Sequence, residues 1–139
     1  MDKPGGERVI LSPSEETVRE MTERRSRFIG VVFPFHADEN LKDRLKELEE
    51  RFPRANHYCW AFRILHPREM DGFSDAGEPS GTAGRPIQHA LAASGLAQVA
   101  AVVIRYFGGI KLGVRGLIDA YGESAAKALA ATPRIALEP

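Results

Sequence analysis

Val99-Ala100-Ala101-Val102-Val103-Ile104 runs directly into Arg105-Tyr106-Phe107-Gly108-Gly109-Ile110-Lys111-Leu112-Gly113. These two runs decide the fold. The first is uncharged and rich in β-branched residues, the pattern of a buried strand. The second is a glycine-rich turn loaded with cations, and a helical pattern begins near Arg115. A buried strand that ends in such a turn and feeds a helix N-terminus favours anions, because free backbone N–H groups and the helix dipole both present positive charge. A second glycine-rich stretch, Gly77-Glu78-Pro79-Ser80-Gly81-Thr82-Ala83-Gly84-Arg85-Pro86, precedes another helical pattern. No Asp or Glu lies between Glu78 and Asp119, whereas the same stretch holds Arg85, Arg105, Lys111 and Arg115.

Working outward, Glu15 to Arg24 reads as a weak edge strand. Phe28 to Phe35 and His57 to Leu65 read as strands from their aromatic and β-branched content. Asp38 suits the N-cap of a helix whose face carries Leu41, Leu45, Leu48 and Phe52, and Pro53 ends it. His66 to Gly84 reads as a long loop, a length usually reserved for function or disorder. Pro86 suits a first helical position, Ile87, Ala90, Leu91 and Ser94 share one face, and Gly95 suits the helix end. Gln98 to Tyr106 is the next strand. The last helix carries Leu117, Tyr121, Ala125 and Leu129 on one face and stops at Thr132-Pro133. The order β-β-α-β-α-β-α predicts an α/β (α+β) two-layer sandwich, with the helices on one sheet face. Residues 1–14 read as a loose N-terminal segment, 15–133 as a single domain, and 134–139 as a tail.

The 139 residues suit one core, and 43% hydrophobic with 27% charged residues is ordinary for a globular chain. A net charge of zero excludes wholesale electrostatic binding of nucleic acid, so any such binding must come from a patch. The single cysteine, Cys59, has no disulfide partner within the chain. There is no secretory h-region and no apolar run of membrane-spanning length, so the expectation is a cytoplasmic protein without a membrane partner.

Three segments resemble the N-terminal domain of the IMPACT family, a largely uncharacterised, translation-linked group. Ser26-Arg27-Phe28-Ile29 is similar to its opening strand. His57-Tyr58-Cys59-Trp60-Ala61-Phe62-Arg63 is similar to its His-x-Cys-Trp-Ala strand. Ser74-Asp75-Ala76-Gly77 through Pro86, and Arg105 through Gly113, are similar to its two signature loops. The resemblance runs from about Ser26 to about Ala130 and implies a fold similar to the second domain of ribosomal protein S five. It also implies a non-enzymatic module that binds RNA or a ribosomal or translation-factor surface. That fold serves RNA-contacting domains and small-molecule kinases alike, so a binder or enzyme for a small phosphorylated ligand is the alternative. Ala76 stands where the family usually has a second Asp, Arg115 where a glycine is usual, and Asp119 where a base is usual. Bacterial members usually add a small ferredoxin-like C-terminal domain, which the sequence to Pro139 does not contain.

The candidate anion-binding residues are Arg85, Arg105, Gly108, Gly109, Lys111 and Arg115, with the four cations expected on one surface. Asp75, Glu78, Ser80, Thr82 and Gly84 are expected to shape the loop before the second helix, Glu78 and Thr82 by capping backbone N–H groups. The spacing is not that of a P-loop. His57 and Cys59 share a strand face, but a Cys in an aromatic-rich strand is usually a buried small hydrophobe. No catalytic residue, cofactor or metal site is expected, and the four histidines lack partners at zinc-ligand spacing.

Overall fold

Antiparallel pairing organises the computed structural model, which describes residues 9–138. The elements are β1 (Ile10–Pro13), β2 (Thr17–Glu23), β3 (Ser26–Pro34), α1 (Leu41–Arg51), β4 (His57–Ile64), β5 (Met70–Ser74), α2 (Gly84–Ser94), β6 (Val99–Tyr106), α3 (Gly113–Ala130) and β7 (Arg134–Leu137). Five strands form one sheet in the order β2-β3-β6-β4-β5. β6, the most apolar strand, lies at its centre, paired with β3 and β4. The two faces follow from side-chain alternation. Phe28, Val32, Cys59, Ala61, Ala101 and Val103 point towards α2 and α3. Ile29, Val31, Phe33, Val102 and Ile104 point the other way.

The α+β sandwich is thus the sheet and the α2–α3 layer, and one expectation is corrected. α1 packs on the opposite face, where buried Leu48 joins Val31, Phe33 and Val102. Leu41, Leu45 and Phe52 follow it, since their helical spacing commits them to one side. The cap of α1 is also two residues later than expected: Asn40, not Asp38, accepts the Lys42 N–H at 2.9 Å. α2 opens at Gly84, ahead of Pro86, and closes on Gly95 at φ +74°.

Three strands exceed the expected order. β5 lies inside the stretch read as one long loop and pairs Met70–Ser74 with Trp60–Ile64. β1 and β7 form a separate two-stranded sheet, Ile10 opposite Leu137 and Pro13 opposite Arg134. The described part of the segment read as loose, and the tail read from 134, are therefore hydrogen-bonded to each other. Residues 1–8 of that segment lie outside the described residues. β2 is an edge strand, as its polar sequence suggests.

Close packing of α3 on the sheet depends on Gly30 in mid-β3. A Cβ there would lie 2.8 Å from the Ser124 carbonyl oxygen and 3.2 Å from the Ala128 Cβ. Overpacking of this kind costs about 1–3 kcal/mol. Gly30→Ala is expected to lower unfolding free energy by that amount in urea denaturation with an unchanged m-value; an unaltered midpoint would show that α3 is free to move.

Candidate binding site at the glycine-loop end of the sheet

A buried carboxylate organises this end of the molecule. The Glu78 side chain is 4% exposed. Its Oε2 accepts hydrogen bonds from Arg105 Nη1 at 2.8 Å and from the Tyr121 hydroxyl. Its Oε1 lies 3.4 Å from His57 Nε2. His57 Nδ1 is 2.9 Å from the Ala76 carbonyl oxygen, so that nitrogen carries the hydrogen. His57 and Arg105 face each other across the β4–β6 ladder, which aims both at Glu78. The Arg105 guanidinium lies between the rings of Phe28 and Phe107, 5.7 Å and 5.3 Å from their centroids. Burial pushes the Tyr121 hydroxyl far above its ordinary range, which keeps it a donor to Glu78.

Sequence reasoning gave Glu78 the wrong task. Backbone capping in the loop is done by Asp75. Its Oδ1 accepts from the Ala83 and Gly84 N–H groups at 3.1 Å and 2.8 Å, and its Oδ2 accepts from Gly81 at 3.0 Å. Burial works to raise the Asp75 carboxyl, but the Gly81, Gly84 and Ala83 donors together outweigh it and hold it below its usual value. The Thr82 hydroxyl donates to the Pro79 carbonyl at 2.6 Å rather than capping an N–H. Ser80 is exposed. Gly84 is required by close approach, because a Cβ there would meet Phe73 and the Ser74 backbone within 3.0 Å.

The 107–113 loop is clamped to its neighbours. Asn56 Oδ1 accepts the Phe107 N–H at 2.8 Å. A Cβ on Gly108 would lie 2.0 Å from the Arg25 carbonyl oxygen, so only glycine lets the loop lie against the β2–β3 turn. Gly109 takes φ +90°. Phe107 is not core: it, Ile110 and Val114 are 46%, 42% and 62% exposed. Beside them opens a cleft of about 470 Å³, with His57, Glu78 and Arg105 at its floor and Lys111 and Val114 at its rim.

The four expected cations do not all line one cleft. Arg105 is 5% exposed and committed to Glu78. Lys111 lines the same cleft. Arg85 lies over the Phe73 ring in a separate hollow that it shares with Asp71 and His89. Arg115 is exposed and pairs with Asp119 at 3.5 Å, as their i,i+4 spacing allows.

The sequence reading passed over three further exposed arginines. β2 and β3 are joined by Arg24 and Arg25 alone, both at positive φ, +45° and +67°. This is the geometry of a type I′ hairpin turn, which normally asks for Asn-Gly. Arg54, in the loop before β4, has φ +62°. All three are exposed. Arg25 touches Gly108, and Arg24 borders a shallow hollow with Leu112 and Gly116. Tyr106 donates to the Pro53 carbonyl next to Arg54 at 2.9 Å. The available signal was a two-residue Arg-Arg spacer between strand-like runs.

Cys59 is fully buried and donates to the Asp75 carbonyl at 3.1 Å. Burial pushes its thiol up to about 12, which removes the thiolate at neutral pH. Among the described residues no three His, Cys, Asp or Glu side chains converge as metal ligands, and no helix is long and apolar enough to cross a membrane.

An antiparallel sheet with α2 and α3 on one face and α1 on the other, and two glycine-rich loops locked by a buried Glu–Arg–Tyr cluster, define a small α+β domain. The chain belongs to the IMPACT family: residues 24–129 match the Impact N-terminal domain. It is 40% identical over 121 residues to an IMPACT family member of Haemophilus influenzae, covering 86% of this chain and 59% of that protein. The crystal structure of a hypothetical protein superposes with a TM-score of 0.88 at 34% identity, over 94% of this chain and 65% of that one. The two-domain translational regulator Yih1 shares the fold, with a TM-score of 0.51 at 21% identity over 94% of this chain and 48% of that one. The chain thus spans less than two thirds of each of these proteins.

Two outcomes are expected from the loop chemistry. Glu78→Ala strands the Arg105 charge in the interior and should cost about 3–5 kcal/mol in urea denaturation. Asp75→Asn should cost about 1–2 kcal/mol at pH 7 through weakened bonds to the three N–H groups. The folded-state carboxyl is depressed, so its contribution is complete above the unfolded value near 3.9 and is lost as pH falls through the lower folded value. The gap between wild type and Asp75→Asn should therefore close below about pH 4; a gap independent of pH would refute the assignment.

Proposed function

We infer that this domain is a non-enzymatic module of translation or its control that binds RNA through the loop end of its sheet. The observation that carries this is the set of exposed cations there: Arg24 and Arg25 on the β2–β3 turn that touches Gly108, Arg54 in the loop before β4, Lys111 in the glycine-rich loop, and Arg115 in the first turn of α3, where it also pairs with Asp119. Left-handed backbone costs a non-glycine residue about 1–2 kcal/mol. Three arginines at this end take that conformation, where glycine would relieve the strain. Retaining a cation at such positions is consistent with a task for the side chain rather than for the turn. Exposed Phe107 beside Lys111 adds a ring on which a base can stack. Glu23, Asp119 and Glu123 border the Arg24 side of the patch and limit its reach. The description of a fold neighbour as a translational regulator supports the translation link.

Five cations neutralising phosphates give a logarithmic salt slope of roughly −3.5 to −4.5 and an affinity on the order of micromolar or weaker at physiological salt. The sharpest test is Arg24→Gly with Arg25→Gly. Stability should hold or rise, because glycine suits both turn positions. Binding to structured RNA should weaken for all sequences alike and the salt slope should shrink by about two. Fluorescence titrations at two salt concentrations read both effects. Undetectable wild-type binding at low salt, or a slope untouched by the double change, would overturn the reading.

A further inference from the structure

We propose that the cleft between the 107–113 loop and the Glu78 loop is a small-molecule site for a compact organic anion carried on an apolar body. This goes beyond RNA binding and is read without RNA. Its volume, about 470 Å³, is in the range of ligand pockets. One wall is apolar, built from Phe107, Leu112, Val114 and Leu117. The opposite end is electropositive, from three sources. Arg105 lines the cleft with its side chain 7% exposed; Nε and Nη1 are engaged by Ser26 and Glu78, and Nη2 has no hydrogen-bond partner among the described residues. Lys111 stands at the rim. α3 begins in the cleft at Gly113, with no side-chain cap from Leu112 and no acidic residue in its first turn. An eighteen-residue helix thus opens its free N–H groups beside a buried guanidinium that still has a donor to give.

Glu78 does not cancel this field. Its charge is matched by Arg105, its Oε2 accepts from Arg105 and Tyr121, and its Oε1 is turned to His57 Nε2 at 3.4 Å. Lys111 and the helix end remain as surplus positive charge. A carboxylate or phosphomonoester seated there would accept from Arg105 Nη2 and the first N–H groups of α3, with its apolar body against Phe107 and Val114. The two head groups share this chemistry, and comparison of probes separates them.

The test uses phenyl phosphate, phenylacetate and inorganic phosphate, followed by thermal shift and by amide and arginine side-chain NMR shifts. Either phenyl-bearing anion should bind roughly tenfold or more tightly than inorganic phosphate, because the ring loses its apolar surface to the cleft. The stronger of the two identifies the head group. Shifts should centre on Gly113, Val114, Phe107 and the Arg105 side chain. Val114→Glu puts a carboxylate at the helix start, where it favours folding, and should abolish binding without loss of Tm. Equal binding of inorganic phosphate, shifts centred elsewhere, insensitivity to Val114→Glu, or no saturation at millimolar probe would each overturn the proposal. RNA titrations of the Arg24→Gly, Arg25→Gly chain stand or fall separately.

Discussion

The Glu78–Arg105 pair is the interaction on which the rest of this end depends. One carboxylate gathers β6 through Arg105, α3 through Tyr121 and β4 through His57. Removing two charges from water is expensive and is offset only by good geometry and further hydrogen bonds. Here the geometry comes from strand register, which sets His57 opposite Arg105 before any loop closes. The Glu78 loop must then fold over the end of the sheet, because no other described partner satisfies that guanidinium at Nη1. Asp75 completes the closure by turning the following backbone into the first turn of α2.

This division of labour explains the surface. The Glu78–Arg105 pair is buried, and Arg24, Arg25 and Arg54 are exposed on turns. The Arg24–Arg25 turn and Arg54 sit on backbone that resists them, whereas Arg27 is paired with Glu20 and Arg51 with Glu16 and Glu47. The cationic character of the glycine-loop end therefore owes less to the acid-free stretch from Pro79 to Ile118 than to the β2–β3 turn and the loop before β4, both far away in sequence. Gly108 is what lets the glycine-rich loop lie against the β2–β3 turn.

Much of the fold was legible because periodicity reports burial. β6, β3 and β4 announced themselves by β-branched and aromatic content, and Leu117, Tyr121, Ala125 and Leu129 marked the buried side of α3. What stayed hidden depends on partners distant in sequence. β5 has only Met70 and Phe73 as large apolar residues and exists by pairing with β4. β1 and β7 are four residues each and mean nothing apart. α1 shows an apolar stripe but not which sheet face receives it. At the site, a run of glycines and cations showed where chemistry gathers. It could not show that Arg105 holds a buried Glu78, since Glu78 is remote in sequence and carries no local mark of its partner.

The β1–β7 ribbon closes the described chain on itself, Ile10 beside Leu137. It is the contact of longest loop, so its closure entropy is met only after the sheet has assembled around β6. Joining those two neighbouring ends by a short linker and opening the chain elsewhere would turn this last contact into a local hairpin. A circular permutant so made would keep every packed layer while reversing the order in which the ribbon and the sheet are won. The same adjacency makes the domain a cassette: a host chain could enter and leave it through one pair of strands and scarcely be displaced.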